Sequence, residues 1–244
     1  MAMPASVTQF FYFLSRHRGH VEWRGDVAWV ESERPEFTFA VVSGLNVDTE
    51  TFERFSTIYL MSGVEVDLPA RGYLAASSVT FMSSTSDPSQ WPTGPQMNIW
   101  RASDVTSMAA FSDTQAKGFL ETPEAHSVWF PFLEAANRRN LEDPKQFFCI
   151  GSLDGEFAGT TLVIDEDGTF GLYAVATPPQ HRKKGIATHV MRESLRISGH
   201  QAGQPIVLQV VSDSYAERLY QKLGFREDAR ALVFRRASIS SCSS

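Results

Sequence analysis

Apolar residues change their spacing near residue 146, from a helical to a strand-like period. Before this point, Ser103 or Asp104 can cap one helix, whose apolar residues include Phe119. Thr122 with Pro123 begins a second helix whose apolar residues form one stripe. After it come three short runs of aromatic and β-branched residues, separated by turn sequences that contain Asp-Gly. This pattern predicts three antiparallel strands, at 147–150, 157–164 and 170–176.

Helical and strand patterns alternate in the rest of the chain. Apolar residues four apart predict a helix that Gly199 ends, and the continuous apolar run 206–211 predicts a strand buried on both faces. Ser214 and Glu217 form a capping-box pattern for a further helix, and 231–235 predicts a last strand. One helix joins the third strand to the run 206–211, so these two strands should be parallel neighbours in a mixed sheet. The expected fold class is therefore α/β.

A proline-rich segment divides the chain. Residues 83–95 read SSTSDPSQWPTGP, which is the composition of a connection between folded units. We expect a smaller N-terminal α/β domain at 1–95, a second domain at 96–237, and a disordered tail at 238–244.

Composition narrows the class of protein. Hydrophobic residues make up 43% of the 244 and charged residues 20%, and no segment is long and apolar enough for a membrane helix, so we expect a soluble protein without a membrane partner. The low cysteine content fits a reducing, cytoplasmic setting. The apolar run 10–14 is predicted to be packing surface and not a signal sequence. A net charge of −6 argues against a nucleic-acid partner. Cys149 and Cys242 are too few for a disulfide framework or a four-ligand zinc site, and Cys149, in an apolar strand, is predicted to be core.

A basic loop precedes the helix that Gly199 ends. It contains Arg182, Lys183, Lys184 and Gly185, and it leads from a strand directly into the helix. The free amide groups of a helix's first turn and its macrodipole favour an anion, and glycine lets the backbone approach closely. The pattern is neither the Rossmann nor the Walker motif, so a diphosphate site of another kind is one interpretation and a solvated basic turn is the other.

Two motifs resemble those of the GNAT N-acetyltransferase superfamily. Arg182-x-x-Gly185-x-Ala187 is similar to the family's Gln/Arg-x-x-Gly-x-Gly/Ala signature, and DSYAERLYQKLGF at 213–225 is similar to its second motif, Asn-x-x-Ala-x-x-Leu-Tyr-x-x-x-Gly-Phe. Both lie in the family's order and on the matching predicted elements. The resemblance implies a GNAT-like acyl-CoA N-acyltransferase fold in the C-terminal half, with the strand 170–176 splayed from 206–211 to form the cofactor cleft.

The resemblance also implies roles for individual residues. In the family, the strand before the loop pairs its backbone with the pantetheine arm, and the loop amides hold the diphosphate of acetyl-CoA. Tyr220 matches the tyrosine that protonates the departing thiolate, although packing alone would also explain it. Asp213 replaces the family's asparagine, and helix capping is the alternative to a cofactor contact there. The implied cofactor-binding residues are Val175, Ala176, Thr177, Arg182, Lys183, Lys184, Gly185, Ile186, Ala187, Thr188 and Asp213.

The sequence identifies no general base. Family members often carry a glutamate on the strand before the loop, but this strand reads FGLYAVAT and has none. Carboxylates and a histidine on or before the two predicted helices are the candidates, each with a surface position as the alternative. They are Glu121, Glu124, Glu134 and His126.

The leading functional hypothesis is an enzyme that transfers an acetyl group from acetyl-CoA to a primary amine, without a metal. A small-molecule acceptor is preferred over a protein, and the enzyme is expected to be a monomer or homodimer. One alternative is a non-catalytic CoA-binding sensor or scaffold module, and another is transfer of a longer acyl group.

The N-terminal half contains a weak echo of the second motif. DLPARGY at 67–73, followed by apolar 79–82, resembles YQKLGF at 220–225 followed by 231–234. A tandem arrangement with a degenerate copy of the fold is one reading, and chance similarity is the other. In either case this half should shape the acceptor pocket or stabilise its neighbour. Four aromatic residues suggest strands there: Trp23, Trp29, Phe37 and Phe39.

Overall fold

The structure is a computed structural model that describes residues 3–32, 38–44, 52, 54–120 and 122–236. The helices are α1 (Ala5–His17), α2 (Val105–Phe119), α3 (Pro123–Arg139), α4 (Ile186–Ile197) and α5 (Tyr215–Lys222). The strands are β1 (His20–Arg24), β2 (Val27–Glu31), β3 (Phe39–Val42), β4 (Thr57–Met61), β5 (Tyr73–Ser84), β6 (Asn98–Arg101), β7 (Gln146–Leu153), β8 (Glu156–Glu166), β9 (Thr169–Ala176), β10 (Ile206–Val211) and β11 (Arg226–Arg236).

All these strands form a single mixed sheet of 11 strands, in the order β1-β2-β3-β4-β11-β5-β10-β9-β8-β7-β6. The pairs β3–β4 and β9–β10 are parallel, and the other neighbours are antiparallel. The α/β mixed-sheet prediction is thus confirmed, including the parallel step from β9 through α4 to β10.

The two halves of the chain exchange their last strands in the middle of this sheet. Strand β5, from the N-terminal half, lies between β10 and β11, and β11 lies between β4 and β5. In each half, antiparallel strands lead to a parallel pair, which is β3–β4 in the N-terminal half and β9–β10 in the C-terminal half. The last strand of each half then pairs with the other half, because β5 pairs with β10 and β11 pairs with β4. The sheet is continuous across residue 95, while the division into domains at that point stays a prediction.

The turns before these exchanged strands also correspond. A 3₁₀ turn at Pro69–Arg71 ends at Gly72 with φ of 79°, and α5 is followed by Gly224 with φ of 91°. Strands β5 and β11 follow these glycines. A turn ending in glycine before the last strand of each half is what a tandem arrangement of two related folds predicts. The tandem arrangement stays a proposal.

Helices cover the two faces of the sheet differently. We call the face under α1 and α2 the front face, where Phe111 and Phe148 belong to one core cluster with α1. The face under α4 and α5 is the back face, where Met191 and Leu195 pack on Leu172. Helix α3 packs on α2, where Asn137 bonds to Ser112 and Gln115. No described helix is long and apolar enough to cross a membrane.

Helix α1 holds the apolar run 10–14, which is packing surface as predicted. Phe10, Phe11 and Leu14 are buried. Phe13 stacks on Tyr173 of β9 with ring centroids 4.2 Å apart, and the Tyr173 hydroxyl donates to Gln9 Oε1 at 2.9 Å. The N-terminal helix therefore stabilises the strand that leads to the basic loop.

Three local predictions differ from the structure. Strand β6 was not predicted, because its four residues have no apolar run. Strand β11 begins at Arg226 and not at Ala231, since the largely charged segment 226–230 also pairs with β5, with an irregularity between Glu227 and Ala229. Phe119, assigned to the apolar face of α2, is 50% exposed at the end of the helix. Phe37 and the tail 238–244 lie outside the described residues.

Candidate active site

A gap opens between the two parallel strands of the C-terminal half. Strands β9 and β10 pair only at Phe170 with Ile206 and at Gly171 with Val207, although β9 continues to Ala176. The divergence that the family resemblance implies is therefore present. Backbone groups of the unpaired part of β9 are free to bond a ligand that lies along the gap.

A bulge in β9 turns these backbone groups. Thr160 of β8 pairs with Ala176 and Leu162 pairs with Tyr173, so β9 has one extra residue at this point. Ala174 adopts φ of 48°, a left-handed conformation that costs a non-glycine residue about 1–2 kcal/mol. Thr160 Oγ1 donates to the Ala174 carbonyl at 2.8 Å and holds the bulge in place.

The basic loop ends at an uncapped helix N-terminus. Gly185 is the N-cap of α4 with φ of 77°, which favours glycine, and no side chain caps the first turn. No acidic residue lies in that turn either. The amides and the macrodipole of α4 are therefore available to an external anion.

A cavity of about 420 Å³ lies between this helix, β9 and α5. We call it the cleft cavity. Its lining includes all the predicted site residues except Lys184 and Asp213. These shared residues are Val175, Ala176, Thr177, Arg182, Lys183, Gly185, Ile186, Ala187, Thr188 and Tyr220.

Lys184 and Asp213 lie outside the lining of the cleft cavity, and their cofactor contacts stay predictions. Lys184 is exposed, and the Asp213 side chain is 88% exposed. Ser214 caps α5 by accepting from the Glu217 amide at 3.1 Å, whereas the Glu217 carboxylate accepts from the Asp213 amide at 2.6 Å. The Ser214 half of the predicted capping box is therefore present, whereas the Glu217 carboxylate binds the amide of Asp213 instead of that of Ser214. The Asp213 side chain does not cap the helix.

Tyr220 is buried and lines the cleft cavity. Its ring packs edge-on against Phe225 with centroids 5.8 Å apart, within the core cluster of the back face. Burial raises the pKa of the Tyr220 phenol well above its ordinary value, so the group keeps its proton at neutral pH. Packing and proton donation are therefore compatible at this position.

Gly118, which sequence reasoning missed, brings α2 against the end of β9. A Cβ at Gly118 would lie 2.7 Å from the Ala176 Cβ and 3.0 Å from the Thr177 nitrogen. Arg182 braces the same contact, since its Nη2 donates to the Gly118 carbonyl at 3.0 Å and its Nε to the Thr177 carbonyl at 3.2 Å. A glycine in the last turn of an amphipathic helix was the available signal.

The remaining lining residues are Ala216 and Leu219, which belong to the second motif, and His181 and Tyr215, for which no role was predicted. Among the described atoms, Thr177 Oγ1 and both ring nitrogens of His181 are buried without a hydrogen-bond partner. His181 Nε2 is 3.3 Å from a Glu156 carboxylate oxygen, an ion-pair distance without hydrogen-bond geometry. Buried polar groups of this kind favour a bound ligand that satisfies them.

None of the three candidate bases that the structure describes lines the cleft cavity. Of the described candidates, Glu134 pairs with Arg138 at 3.1 Å, His126 stacks on Phe130 with centroids 4.8 Å apart, and Glu124 is exposed. Glu121 lies outside the described residues.

Cys149 is fully buried, as predicted for a core residue. Burial raises the pKa of its thiol to about 11, so it is not a nucleophile at neutral pH.

Comparison with known families agrees with this geometry. The family model described as the acetyltransferase (GNAT) family matches residues 108–225, which contain the loop, the gap and α5. This match assigns residues 108–225 to the GNAT acetyltransferase family. No curated protein matches the sequence.

Solved structures share the GNAT fold over most of the chain. A GCN5-related N-acetyltransferase from Kribbella flavida aligns with a TM-score of 0.63 and 14% identity, covering 96% of both chains. A conserved protein of unknown function from Staphylococcus epidermidis aligns with a TM-score of 0.69 and 9% identity, covering 90% of this chain and 95% of its own. A tandem GNAT protein from the clavulanic acid biosynthesis pathway aligns with a TM-score of 0.52 and 14% identity, covering 85% of this chain and 77% of its own.

Proposed function

We propose that this GNAT protein transfers an acetyl group from acetyl-CoA to a primary amine. The observation that carries the proposal is the cleft cavity, in which the free backbone of β9 and the uncapped first turn of α4 lie together. Amides at 185–188 would hold the diphosphate, and backbone groups at 175–177 would bond the pantetheine arm. The thioester would then lie at the gap between β9 and β10.

The reaction needs one group to position the thioester and one to supply a proton. The amine nitrogen attacks the thioester carbonyl, the new C–N bond forms, and the C–S bond breaks as the tetrahedral intermediate collapses. Tyr220, protonated at neutral pH, donates to the departing thiolate sulfur. The amine proton passes to water, because no carboxylate lines the cleft cavity among the described residues.

The amine itself sets a constraint on the rate. An alkyl ammonium with a pKa near 10.4 is deprotonated in only about one molecule in 2,500 at pH 7. Without a carboxylate base, we expect turnover to rise with pH through the neutral range. We further propose a small-molecule acceptor, a cytoplasmic location, and a monomer or homodimer.

The absence of a carboxylate from that lining also favours one alternative, a CoA-binding module without turnover. Release of the CoA thiol from acetyl-CoA, measured across a panel of primary amines, separates the two functions. Turnover above the rate of acetyl-CoA hydrolysis supports the enzyme. Saturable CoA binding with no amine-dependent thiol release supports the module.

A further inference from the structure

A second cavity, of about 630 Å³, lies on the front face beneath α1. We call it the front cavity. Its floor is formed by alternate residues of four neighbouring strands, including Tyr59 of β4 and Gln209 of β10, and its walls are largely aromatic. The residues that give it chemical character are Phe10, Phe13, Trp129, Arg18, Arg235 and Arg236.

The charge in the front cavity is of one sign. Arg18, Arg235 and Arg236 line it, and no aspartate or glutamate does among the described residues. Within the described part of the chain, no carboxylate lies at ion-pair distance from any of the three. Unneutralised arginines that line an aromatic cavity favour an anionic ligand.

Arg18 is the arginine of the front cavity with the clearest unsatisfied donor. Its guanidinium lies 5.3 Å from the Phe132 ring centroid and 5.8 Å from that of Trp129, and its Nη1 is buried without a hydrogen-bond partner in the described structure. Gln209 Oε1, in the same cavity, is also buried and unpaired. A buried charged donor left unsatisfied destabilises the protein, and a bound carboxylate would offset that cost.

The front cavity adjoins the gap that holds the proposed thioester. Gln209 and Val211 line it from β10, and both lie beyond Val207, where pairing with β9 ends. The cleft cavity meets the same unpaired stretch from β9 and α5. A molecule in the front cavity therefore faces the gap from the side opposite α5.

We propose that the front cavity is the acceptor site, and that its acceptor is a primary amine carrying a carboxylate and an aromatic or branched apolar body. Arg18 and Arg235 bind the carboxylate, the aromatic walls take the body, and the amine nitrogen points into the gap. This inference rests on the proposed function and specifies the acceptor class for it. It also gives the N-terminal half a role, since Arg18 and Tyr59 come from that half.

Amines that differ only in a carboxylate test the proposal. The pairs are phenylalanine with phenethylamine and tryptophan with tryptamine, each assayed for thiol release from acetyl-CoA. We expect kcat/KM to be at least about tenfold higher for the acid of each pair, the effect of one charge-assisted contact worth about 1.4 kcal/mol. In Arg235→Gln this preference should disappear, because the KM for the acid should rise much more than the KM for the neutral amine.

Arg226→Gln is the matched control, because Arg226 is an exposed arginine of the same strand outside the cavity. Calorimetry with CoA, and then with each amine added to the CoA complex, separates the possible failures. If CoA does not bind, the proposed function is wrong. If CoA binds but neutral amines are preferred, or the acids neither bind nor react, the acceptor proposal is overturned while the cofactor site stands. Arg235-dependent binding of the acids without turnover supports the front cavity as their site.

Discussion

Replacing Gly118 by alanine tests how closely α2 must approach the end of β9. The new Cβ would lie 2.7 Å from the Ala176 Cβ, whereas carbon atoms in contact are separated by about 3.5–4.0 Å, so the two segments must part by roughly 1 Å. Overpacking of this kind costs about 1–3 kcal/mol, and alanine's higher helix propensity returns about 1 kcal/mol. The free energy of unfolding should therefore fall by about 0–2 kcal/mol.

The larger effect of Gly118→Ala should be on cofactor affinity. Ala176 and Thr177 belong to the strand end that would bond the pantetheine arm, and the loss of about one backbone hydrogen bond costs roughly 0.5–1.5 kcal/mol. We expect about a tenfold higher Kd for CoA by calorimetric titration, which corresponds to about 1.4 kcal/mol.

Lys117→Ala is the control for Gly118→Ala, because it places alanine one residue earlier on an exposed side of α2. This variant should keep the wild-type Kd. If Gly118→Ala binds CoA as tightly as the wild type and is about 1 kcal/mol more stable, the close approach does not position the site.

Three further changes test the loop, the proton donor and a buried histidine. Gly185→Val should raise the Kd for CoA about 100-fold. The control is Gly63→Val, because Gly63 has a similar positive φ of 86° and nothing lies within 4 Å of a Cβ there; this variant should be less stable but bind CoA as tightly as the wild type. Equal losses of affinity in the two variants would refute the loop assignment. Tyr220→Phe should lower kcat about 100-fold at unchanged Kd, and wild-type turnover would return Tyr220 to a packing role. Burial lowers the pKa of His17 to about 4 in the folded protein. As pH falls below about 6.5, this histidine therefore binds a proton in the unfolded state before it does so in the folded state. The free energy of unfolding should drop by on the order of 3 kcal/mol between pH 7 and pH 4. His17→Gln should flatten that dependence in denaturant titrations, and an unchanged slope would assign it to other groups.

The sequence predicted the elements whose side chains carry a strong period. Helices α2 to α5 and strands β7 to β10 have apolar residues at helical or strand spacing, bounded by turn and capping residues. Strand β6 and the first part of β11 were missed because they are short or largely charged and have no apolar period, although both pair with neighbouring strands. The exchange of β5 and β11 depends on long-range pairing, for which a single sequence has no periodic signal.

The candidate site divides in the same way. The motif around Gly185 is local in sequence, so its loop, its helix and the cleft could be predicted together. His181 lies in the same local segment as the loop, but it is not a position of the motif. Gly118 enters through packing of the separate helix α2, which no motif records. The front cavity was beyond prediction for the same reason, because Arg18 and Arg235 come from opposite ends of the chain.

The central claim is that the uncapped first turn of α4 and the free edge of β9 bind acetyl-CoA. Calorimetric titration of the purified wild-type chain with acetyl-CoA tests it most directly. The account predicts saturable heat for one site per chain, weakened by Gly185→Val and unaffected by Gly63→Val. No heat at millimolar acetyl-CoA, or binding that Gly185→Val leaves unchanged, would contradict it.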